Sequence, residues 1–226
     1  MTKKVINQKG ILNDKLIDTI EPNFIFKNKP INRFKIVKNS IHDNQTVKNE
    51  LLIKLKNQIN SIENCNLKDN SQNLILGDGN INSPVMLIGE APGLDDDKNG
   101  TTFNGEIGEL LNKMLIAIKI NRKNIYCSYA VNFRPPEDRK PTSQEIKRYS
   151  VFLKNHISII NPKIIILMGS TAMESLTGIN GKISSERGKW KDIILNNKTY
   201  PLIITFNPSY LIRFPENKKY SWIDLK

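Results

Sequence analysis

Cysteine and histidine are scarce in this chain of 226 residues, which has two of each. The cysteines, Cys65 and Cys127, belong to no C-x-x-C pair, so neither a disulfide framework nor a cysteine zinc site is expected. The histidines, His42 and His156, are too few for a His-rich metal site. No apolar run approaches the length that crosses a bilayer, and the first ten residues lack the apolar core of a signal peptide. We therefore expect a cytoplasmic protein without a bound metal and without membrane association.

Positive charge is the most prominent feature that is present. The formal net charge is +12, and the composition of 38% hydrophobic and 25% charged residues is that of a globular protein. Such an excess favours nucleic acid as a partner, although a lysine- and asparagine-rich proteome gives the same excess. Residues 1–60 hold 12 basic and 5 acidic residues. We predict a basic, partly disordered extension over residues 1–45, with a DNA-contacting arm as the alternative, and a main domain over residues 46–226.

Hydrophobic periodicity predicts alternating strands and helices along the main domain. Apolar spacings of three and four predict helices, and short apolar runs predict buried strands. Helices are predicted over 47–62, 107–118, 143–157 and 170–176, and strands over 85–88, 125–131, 163–169 and 202–206. This order indicates a single three-layer α/β/α domain with a mainly parallel sheet. Ligands of such sheets bind beyond the carboxyl ends of the strands, where the loops 89–103, 129–139 and 207–213 follow.

Five sequence blocks occur in these loops and around them. They are GEAPGLDDDKNGTTFNGEIGELLNKML from Gly89, VNFRPPEDRKPTSQEI from Val131, INPKIIILMGSTAMESL from Ile160, RGKW from Arg187, and FNPSYLIRFPENKKYSWIDL from Phe206. In this order and spacing they resemble the uracil-DNA glycosylase superfamily, and most closely its family-4, iron–sulfur enzymes. The resemblance covers residues 61–226. It implies an enzyme that turns a deaminated base out of DNA and hydrolyses its N-glycosidic bond.

The resemblance also assigns roles to residues at the carboxyl edge of the sheet. It places the Glu90 carboxylate and the Ala91 backbone at the sugar, where a carboxylate can orient water and stabilise positive charge. Asp96 belongs to the acidic pair that follows, as a second catalytic candidate or a residue that orders the loop. Phe103 takes the position of the phenylalanine on which the flipped base stacks.

Two site positions depart from the pattern of the family. The asparagine that reads the polar edge of uracil is replaced by Tyr129, next to Ser128, and a phenol offers one hydroxyl where an amide offers a donor and an acceptor. Tyr129 either fills the uracil pocket or shapes it for another base such as hypoxanthine or xanthine. The histidine of the last motif is replaced by Asn207, which donates only a neutral hydrogen bond to a departing base.

The ligand positions of the family's iron–sulfur cluster are a third departure. Cys65 occupies one of the four positions, and the other three are Ile62, Phe133 and Tyr149. One thiolate cannot hold such a cluster. We predict that no cluster and no other cofactor is bound, and that these bulky side chains fill the vacated volume.

Residues suited to DNA contact are better retained. The resemblance places Ser209, Tyr210 and Arg213 in a loop that presses into the DNA groove. Arg187 and Lys189, together with the segment from Arg134 to Arg139, supply donors for phosphates.

Three functions remain open on these grounds. The first is a monomeric base-excision DNA glycosylase for uracil or for another deaminated base such as hypoxanthine. The second is a catalytically inactive relative that binds DNA. The third is a hydrolase that acts on another nucleoside or nucleotide.

Overall fold

Strands and helices alternate along the chain, as the periodicity predicts. In the computed structural model, residues 37–226 are described, and their side chains from residue 45 onward. The strands are β1 (Gly77–Gly79), β2 (Val85–Gly89), β3 (Tyr126–Tyr129), β4 (Ile164–Met168), β5 (Trp190–Leu195) and β6 (Lys198–Thr205). The helices are α1 (Val37–Asn60), α2 (Asn66–Asp69), α3 (Leu94–Asn99), α4 (Gly105–Ala117), α5 (Ser143–Ile160), α6 (Ser170–Thr177), α7 (Ile183–Glu186), α8 (Pro208–Arg213) and α9 (Lys218–Leu225). Short 3₁₀ turns lie at Arg122–Asn124, Pro136–Asp138 and Pro215–Asn217.

The six strands form one mixed sheet in the order β1-β3-β2-β4-β6-β5. The four central strands are parallel, because β2 pairs in parallel with β3 and β4, and β4 pairs in parallel with β6. The two outer strands, β1 and β5, run antiparallel to their neighbours. The carboxyl ends of the central strands therefore meet at one edge, where ligands of such sheets bind.

Helices cover both faces of this sheet, which explains why the central strands β2 and β4 are apolar throughout. Met86 and Ile88 of β2 pack on one face with side chains from α5 and α6, whereas Leu87 packs on the other face with Leu111 and Leu115 of α4. Strands buried on both faces are continuous apolar runs instead of alternating patterns. The predicted three-layer α/β/α domain is confirmed.

Two strands were not predicted from the sequence. β1 has only three residues, Gly-Asp-Gly, and carries no apolar pattern. β5 joins β6 through Asn196 and Asn197, whose φ values of 48° and 62° are those of a tight hairpin turn. The Asn-Asn pair that follows the apolar run Ile193–Leu195 is the sequence signal for this turn, because asparagine tolerates the left-handed conformation.

The predicted helices occur with shifted bounds. The helix predicted over 47–62 overlaps the longer α1, which begins earlier and ends at Asn60. The boundary predicted at residue 45 stays a prediction, since residues 1–36 lie outside the described part. The capping box predicted at the start of α5 is present, because Thr142 Oγ1 accepts from Glu145 N and Thr142 N donates to Glu145 Oε2. No helix in the described part of the chain is long and apolar enough to span a membrane.

Candidate active site

The carboxyl end of β2 leads directly into the candidate site. Gly89 is buried there, and a Cβ at this position would lie 2.7 Å from Tyr129 Cε1 and 2.8 Å from Phe103 Cζ. Only glycine leaves room for both rings, so the turn begins with the residue that its packing requires. The next residue, Glu90, follows the strand at the centre of the edge.

Three donors hold the carboxylate of Glu90. Oε1 accepts from the backbone N–H of Thr171 at 2.9 Å and from Ser170 Oγ at 3.2 Å, and Oε2 accepts from Asn207 Nδ2 at 3.0 Å. Ser170 and Thr171 begin α6, whose positive N-terminal end favours a negative charge. Gly169 lies behind the carboxyl group with φ 104°, where any Cβ would overlap it. The carboxylate is thus fixed in position while it faces the cleft described below.

Asn207 links this carboxylate to α8. It is the N-cap of α8, and its Oδ1 accepts from Ser209 N at 3.1 Å. One amide hydrogen goes to Glu90, and the second meets no acceptor within the described part of the protein. Asn207 therefore orients Glu90 and keeps one N–H available for a ligand.

Asp96 has a different environment from Glu90. Its side chain is 3% exposed, and it accepts from Gly93 N and Tyr129 Oη through Oδ2, and from the backbone and the side-chain amide of Asn104 through Oδ1. These four hydrogen bonds join the beginning of α3 to the loop that carries Phe103. Of the two roles expected for Asp96, the geometry supports the ordering of the loop, because its acceptor positions are taken by the protein.

Tyr129 and Phe103 contact each other at the base of the site. Their ring centroids are 4.9 Å apart with a 38° tilt, and the residues are only 3% and 7% exposed. The Tyr129 hydroxyl donates to Asp96 at 2.7 Å and accepts from Phe103 N at 2.9 Å. Burial, followed by the negative charge of Asp96, raises the pKa of Tyr129 well above its usual value. The two rings are already in contact, so no base fits between them.

An open cleft of about 660 Å³ lies outside these two rings. This volume is within the range of small-molecule and cofactor sites. The residues that the sequence predicted and that line the cleft are Glu90, Ala91, Asp96, Phe103, Tyr129, Asn207, Ser209, Tyr210 and Arg213. The structure thus brings together residues that are up to 123 positions apart, from Glu90 to Arg213.

Four of the predicted residues do not line the cleft. Ser128 is fully buried, donates to Leu76 O at 2.7 Å and contacts His156 Nδ1 at 3.3 Å. Lys189 is exposed just before β5. Ser128 therefore belongs to a buried hydrogen-bond network instead of the base-binding surface.

The other two of the four, Arg134 and Arg187, are held by acidic partners. Arg134 pairs with Asp138 at 2.7 Å. Arg187 pairs with Asp224, whose side chain is fully buried, and it also donates to Tyr220 O at 2.6 Å. The Arg187 guanidinium therefore ties α9 to the sheet, and its role in DNA contact stays a prediction.

Several residues of the site were not singled out from the sequence. Ser170 and Thr171 hold Glu90, and their signal was the Gly-Ser-Thr segment between the strongest strand and a helix. Lys140 also lines the cleft from the loop after β3, next to Arg139, the last residue of the segment predicted to supply donors for phosphates. Arg139 is paired with Glu145 at 2.7 Å, whereas Lys140 is exposed.

The four positions that the resemblance relates to an iron–sulfur cluster lie in one apolar cluster. Cys65, Phe133 and Tyr149 are buried together, and Ile62 packs against them. Cys65 Sγ lies 3.2 Å from the Tyr149 hydroxyl, and the Phe133 and Tyr149 rings meet edge to face with centroids 6.3 Å apart. These side chains do not fit an iron–sulfur cluster, because they supply one thiol and fill the volume themselves. Within residues 45–226, no group of three or more His, Cys, Asp or Glu side chains is placed to hold a metal ion.

The fold and the cleft define an α/β protein with a fixed carboxylate at the carboxyl edge of its sheet. Residues 76–226 match the model of the uracil DNA glycosylase superfamily. The chain is 35% identical over 172 residues to a type-4 uracil-DNA glycosylase of Thermotoga maritima, a match that covers 75% of this chain and 87% of that protein. It is 28% identical over 181 residues to the type-4 enzyme of Archaeoglobus fulgidus, covering 78% and 91%, and 32% identical over 170 residues to that of Sulfurisphaera tokodaii, covering 70% and 77%. The chain belongs to the uracil DNA glycosylase superfamily.

Proposed function

We propose that the protein is a DNA glycosylase that hydrolyses the N-glycosidic bond of a deaminated base turned out of DNA. The observation that carries this proposal is the carboxylate of Glu90, which three donors hold at the cleft. The names of the relatives, type-4 uracil-DNA glycosylases, supply the class of reaction.

Glu90 supplies the main chemical group of the proposed reaction. Its Oε2 accepts one hydrogen bond from Asn207 and keeps acceptor capacity for a water molecule. The carboxylate orients this water toward the sugar carbon and stabilises the positive charge that develops on the sugar as the bond breaks. The free N–H of Asn207 donates to the departing base, and this neutral donor contributes less than a charged one.

The base itself is recognised differently from the pattern of the family. The Tyr129 hydroxyl and the Phe103 N–H are bonded to each other, and the hydroxyl donates to Asp96, so neither of these polar groups is free to read a base edge. The base is accommodated in the open part of the cleft, and selection between uracil and hypoxanthine is correspondingly weak. Ser209, Tyr210, Arg213 and the exposed Lys140 are the residues of the cleft that contact the DNA.

Base release from a defined oligonucleotide tests the proposal. DNA with one uracil, hypoxanthine or xanthine is incubated with the protein and treated with alkali, which breaks the strand at abasic sites. We expect strand breaks with uracil or hypoxanthine, and a loss of about 100- to 10,000-fold in Glu90→Gln, since the charge and the basicity of the carboxylate are removed. Glu109→Gln, an exposed position on α4 outside the cleft, is the matched control and should retain the rate. An unchanged rate in Glu90→Gln would refute the role of this carboxylate.

A second function, an inactive relative that binds DNA, is favoured by the contact between Phe103 and Tyr129. Both rings are buried and leave no slot between them. This alternative predicts retention of the same oligonucleotides in a binding assay without release of any base. It also predicts that Glu90→Gln leaves both observations unchanged.

A further inference from the structure

Three aromatic rings form a continuous stack that leads out of the cleft. The centroids of Phe206 and Tyr210 are 4.9 Å apart with an angle of 25° between the rings, and those of Tyr210 and Phe214 are 4.8 Å apart with an angle of 36°. Phe206 and Tyr210 line the cleft, and Phe214 is the next ring after them. These distances are those of offset-stacked aromatic pairs.

The stack is held in place from its inner end. Phe206 follows β6 and is 5% exposed, and the guanidinium of Arg187 lies 5.7 Å from its ring centroid. The Tyr210 hydroxyl accepts from Asn217 Nδ2 at 3.1 Å, which fixes the middle ring. Tyr210 and Phe214 are four residues apart, and the Phe214 N–H donates to Tyr210 O at 2.9 Å at the end of α8. These contacts restrict the stacked rings, so the side chains lose little conformational entropy when another ring stacks on the outer end.

The outer end of the stack is open to solvent. Phe214 is 44% exposed. A single exposed apolar side chain is ordinary, but this one ends a stack that begins inside the cleft and follows directly on Arg213, which also lines the cleft. Lys218 and Lys219, which are exposed, follow shortly afterwards. Phe214 is thus flanked along the chain by Arg213, Lys218 and Lys219, which outnumber the one acid of this segment, Glu216. An aromatic ring in such a basic segment suits a nucleobase and its phosphate, because every base has a flat face and every nucleotide carries a negative charge.

We propose that Phe214 is a stacking platform for an unpaired nucleobase next to the nucleotide in the cleft. This inference rests on the proposed function, since it takes the ligand of the cleft to be a nucleotide within a DNA strand. The base in the cleft lies beside Phe206 and Tyr210, and its neighbour along the strand stacks on the exposed face of Phe214. Single-stranded or locally opened DNA is then the preferred substrate, because a neighbour that remains paired in a duplex cannot leave its own stack without a cost.

Binding of single-stranded oligonucleotides to the full chain measures the contribution of this ring. Stacking of one base on an aromatic side chain corresponds to about 5- to 150-fold in Kd. We expect Phe214→Ala to weaken binding of a single strand by this factor and to weaken binding of a fully paired duplex by less. Phe214→Trp should retain the affinity, and Phe214→Leu should lose it, since leucine keeps apolar area but has no ring face. Ile223→Ala, which removes another exposed apolar side chain, 66% exposed on α9, is the control and should bind as the unchanged protein does.

Photocrosslinking locates the base that stacks. A single strand that carries iodouracil next to the target nucleotide is irradiated with the unchanged protein, and the crosslinked peptide is identified by mass spectrometry. We expect the crosslink at Phe214, whether or not Phe214→Ala folds. A crosslink elsewhere, an equal affinity of Phe214→Leu, or an effect of Phe214→Ala on self-association instead of on DNA binding would overturn the proposal.

The two proposals fail in different ways. If bases are released at a rate that does not depend on Phe214, and the crosslink is absent, the platform is wrong and the glycosylase function stands. If no base is released but binding and crosslinking depend on Phe214, the platform stands and the catalytic proposal is wrong. If the unchanged protein binds no nucleic acid, both are wrong.

Discussion

Tyr129→Phe removes one hydroxyl from the base of the site and leaves the ring in place. That hydroxyl accepts from Phe103 N and donates to the Asp96 carboxylate. Because Tyr129 and its two partners, Phe103 and Asp96, are buried, water does not replace the missing oxygen. The substitution therefore tests whether this hydroxyl holds the loop between α3 and α4.

The magnitude follows from the two partners. The buried N–H of Phe103 loses its acceptor, which costs about 1–3 kcal/mol. Asp96 loses one of its four donors and keeps Gly93 N and both N–H groups of Asn104. The free-energy cost of the lost bond at Asp96 is therefore small for a charged acceptor. We expect the free energy of unfolding to fall by about 2–3 kcal/mol.

Urea denaturation followed by circular dichroism measures this change, with the free energy extrapolated to zero denaturant. Tyr220→Phe is the matched control, because Tyr220 is 39% exposed and a surface hydroxyl contributes within about 0.5 kcal/mol. If Tyr129→Phe lies within about 0.5 kcal/mol of the unchanged protein at an equal slope, the hydroxyl does not hold the loop and the reasoning is refuted.

Two further predictions concern buried groups away from the cleft. Burial lowers the pKa of His156 to about 3. The unfolded chain therefore takes up a proton near pH 6.5 while the folded protein does not. The free energy of unfolding should fall by about 1.4 kcal/mol per pH unit below pH 6.5, down to about pH 3. Urea midpoints between pH 6.5 and 4.5 measure this slope, and His156→Gln should flatten it. Tyr149→Ala should cost about 3–5 kcal/mol through the cavity that it leaves beside Cys65 and Phe133, whereas Tyr149→Phe should cost about 1 kcal/mol or less, because only the contact with the Cys65 thiol is lost. An alanine variant as stable as the phenylalanine variant would contradict the packed arrangement of this cluster.

The neutral state of His156 also agrees with its hydrogen bonds. Ser128 Oγ donates to Leu76 O, so it is left to accept from His156 Nδ1–H. Nε2 then accepts from the Tyr126 hydroxyl at 3.0 Å. Burial disfavours the charged form of the ring, and this desolvation is the physical reason for the acid sensitivity predicted above.

This chain differs most from the family that it resembles at positions where the family has a chemically active side chain and this chain has a packed one. The family that this chain resembles has thiolates at four positions, where this chain has Ile62, Cys65, Phe133 and Tyr149. In this structure the side chains at the four positions pack against one another. The segments that a cluster would link in the family are therefore held together here by burial of apolar side chains. Tyr129 is a second such position, since it stands where the family has a base-reading asparagine and is packed against Phe103, which agrees with the alternative in which it fills the pocket.

The sequence alone determined the order of the layers and the edge at which the site lies. The apolar runs of β2, β4 and β6 are buried on both faces, and such runs separated by amphipathic helices allow few arrangements other than a parallel sheet. The capping box of Thr142 and Glu145 is local, so it too was readable from four consecutive residues. The motifs after the strands then had to meet at the carboxyl edge.

Only the tertiary structure decided which polar groups remain free for chemistry. The contact of Asn207 with Glu90 joins residues that are 117 positions apart, and the bond of Tyr129 to Asp96 joins residues that are 33 positions apart. Sequence patterns place residues on elements, but they do not say whether a hydroxyl, an amide or a guanidinium finds its partner inside the protein. Asp96, for which catalysis was one of two expected roles, and Arg187, which was expected to contact DNA, are held by the protein, whereas Glu90 is held and still open to the cleft. The reason is that hydrogen bonds between distant segments depend on distances that only the folded chain has.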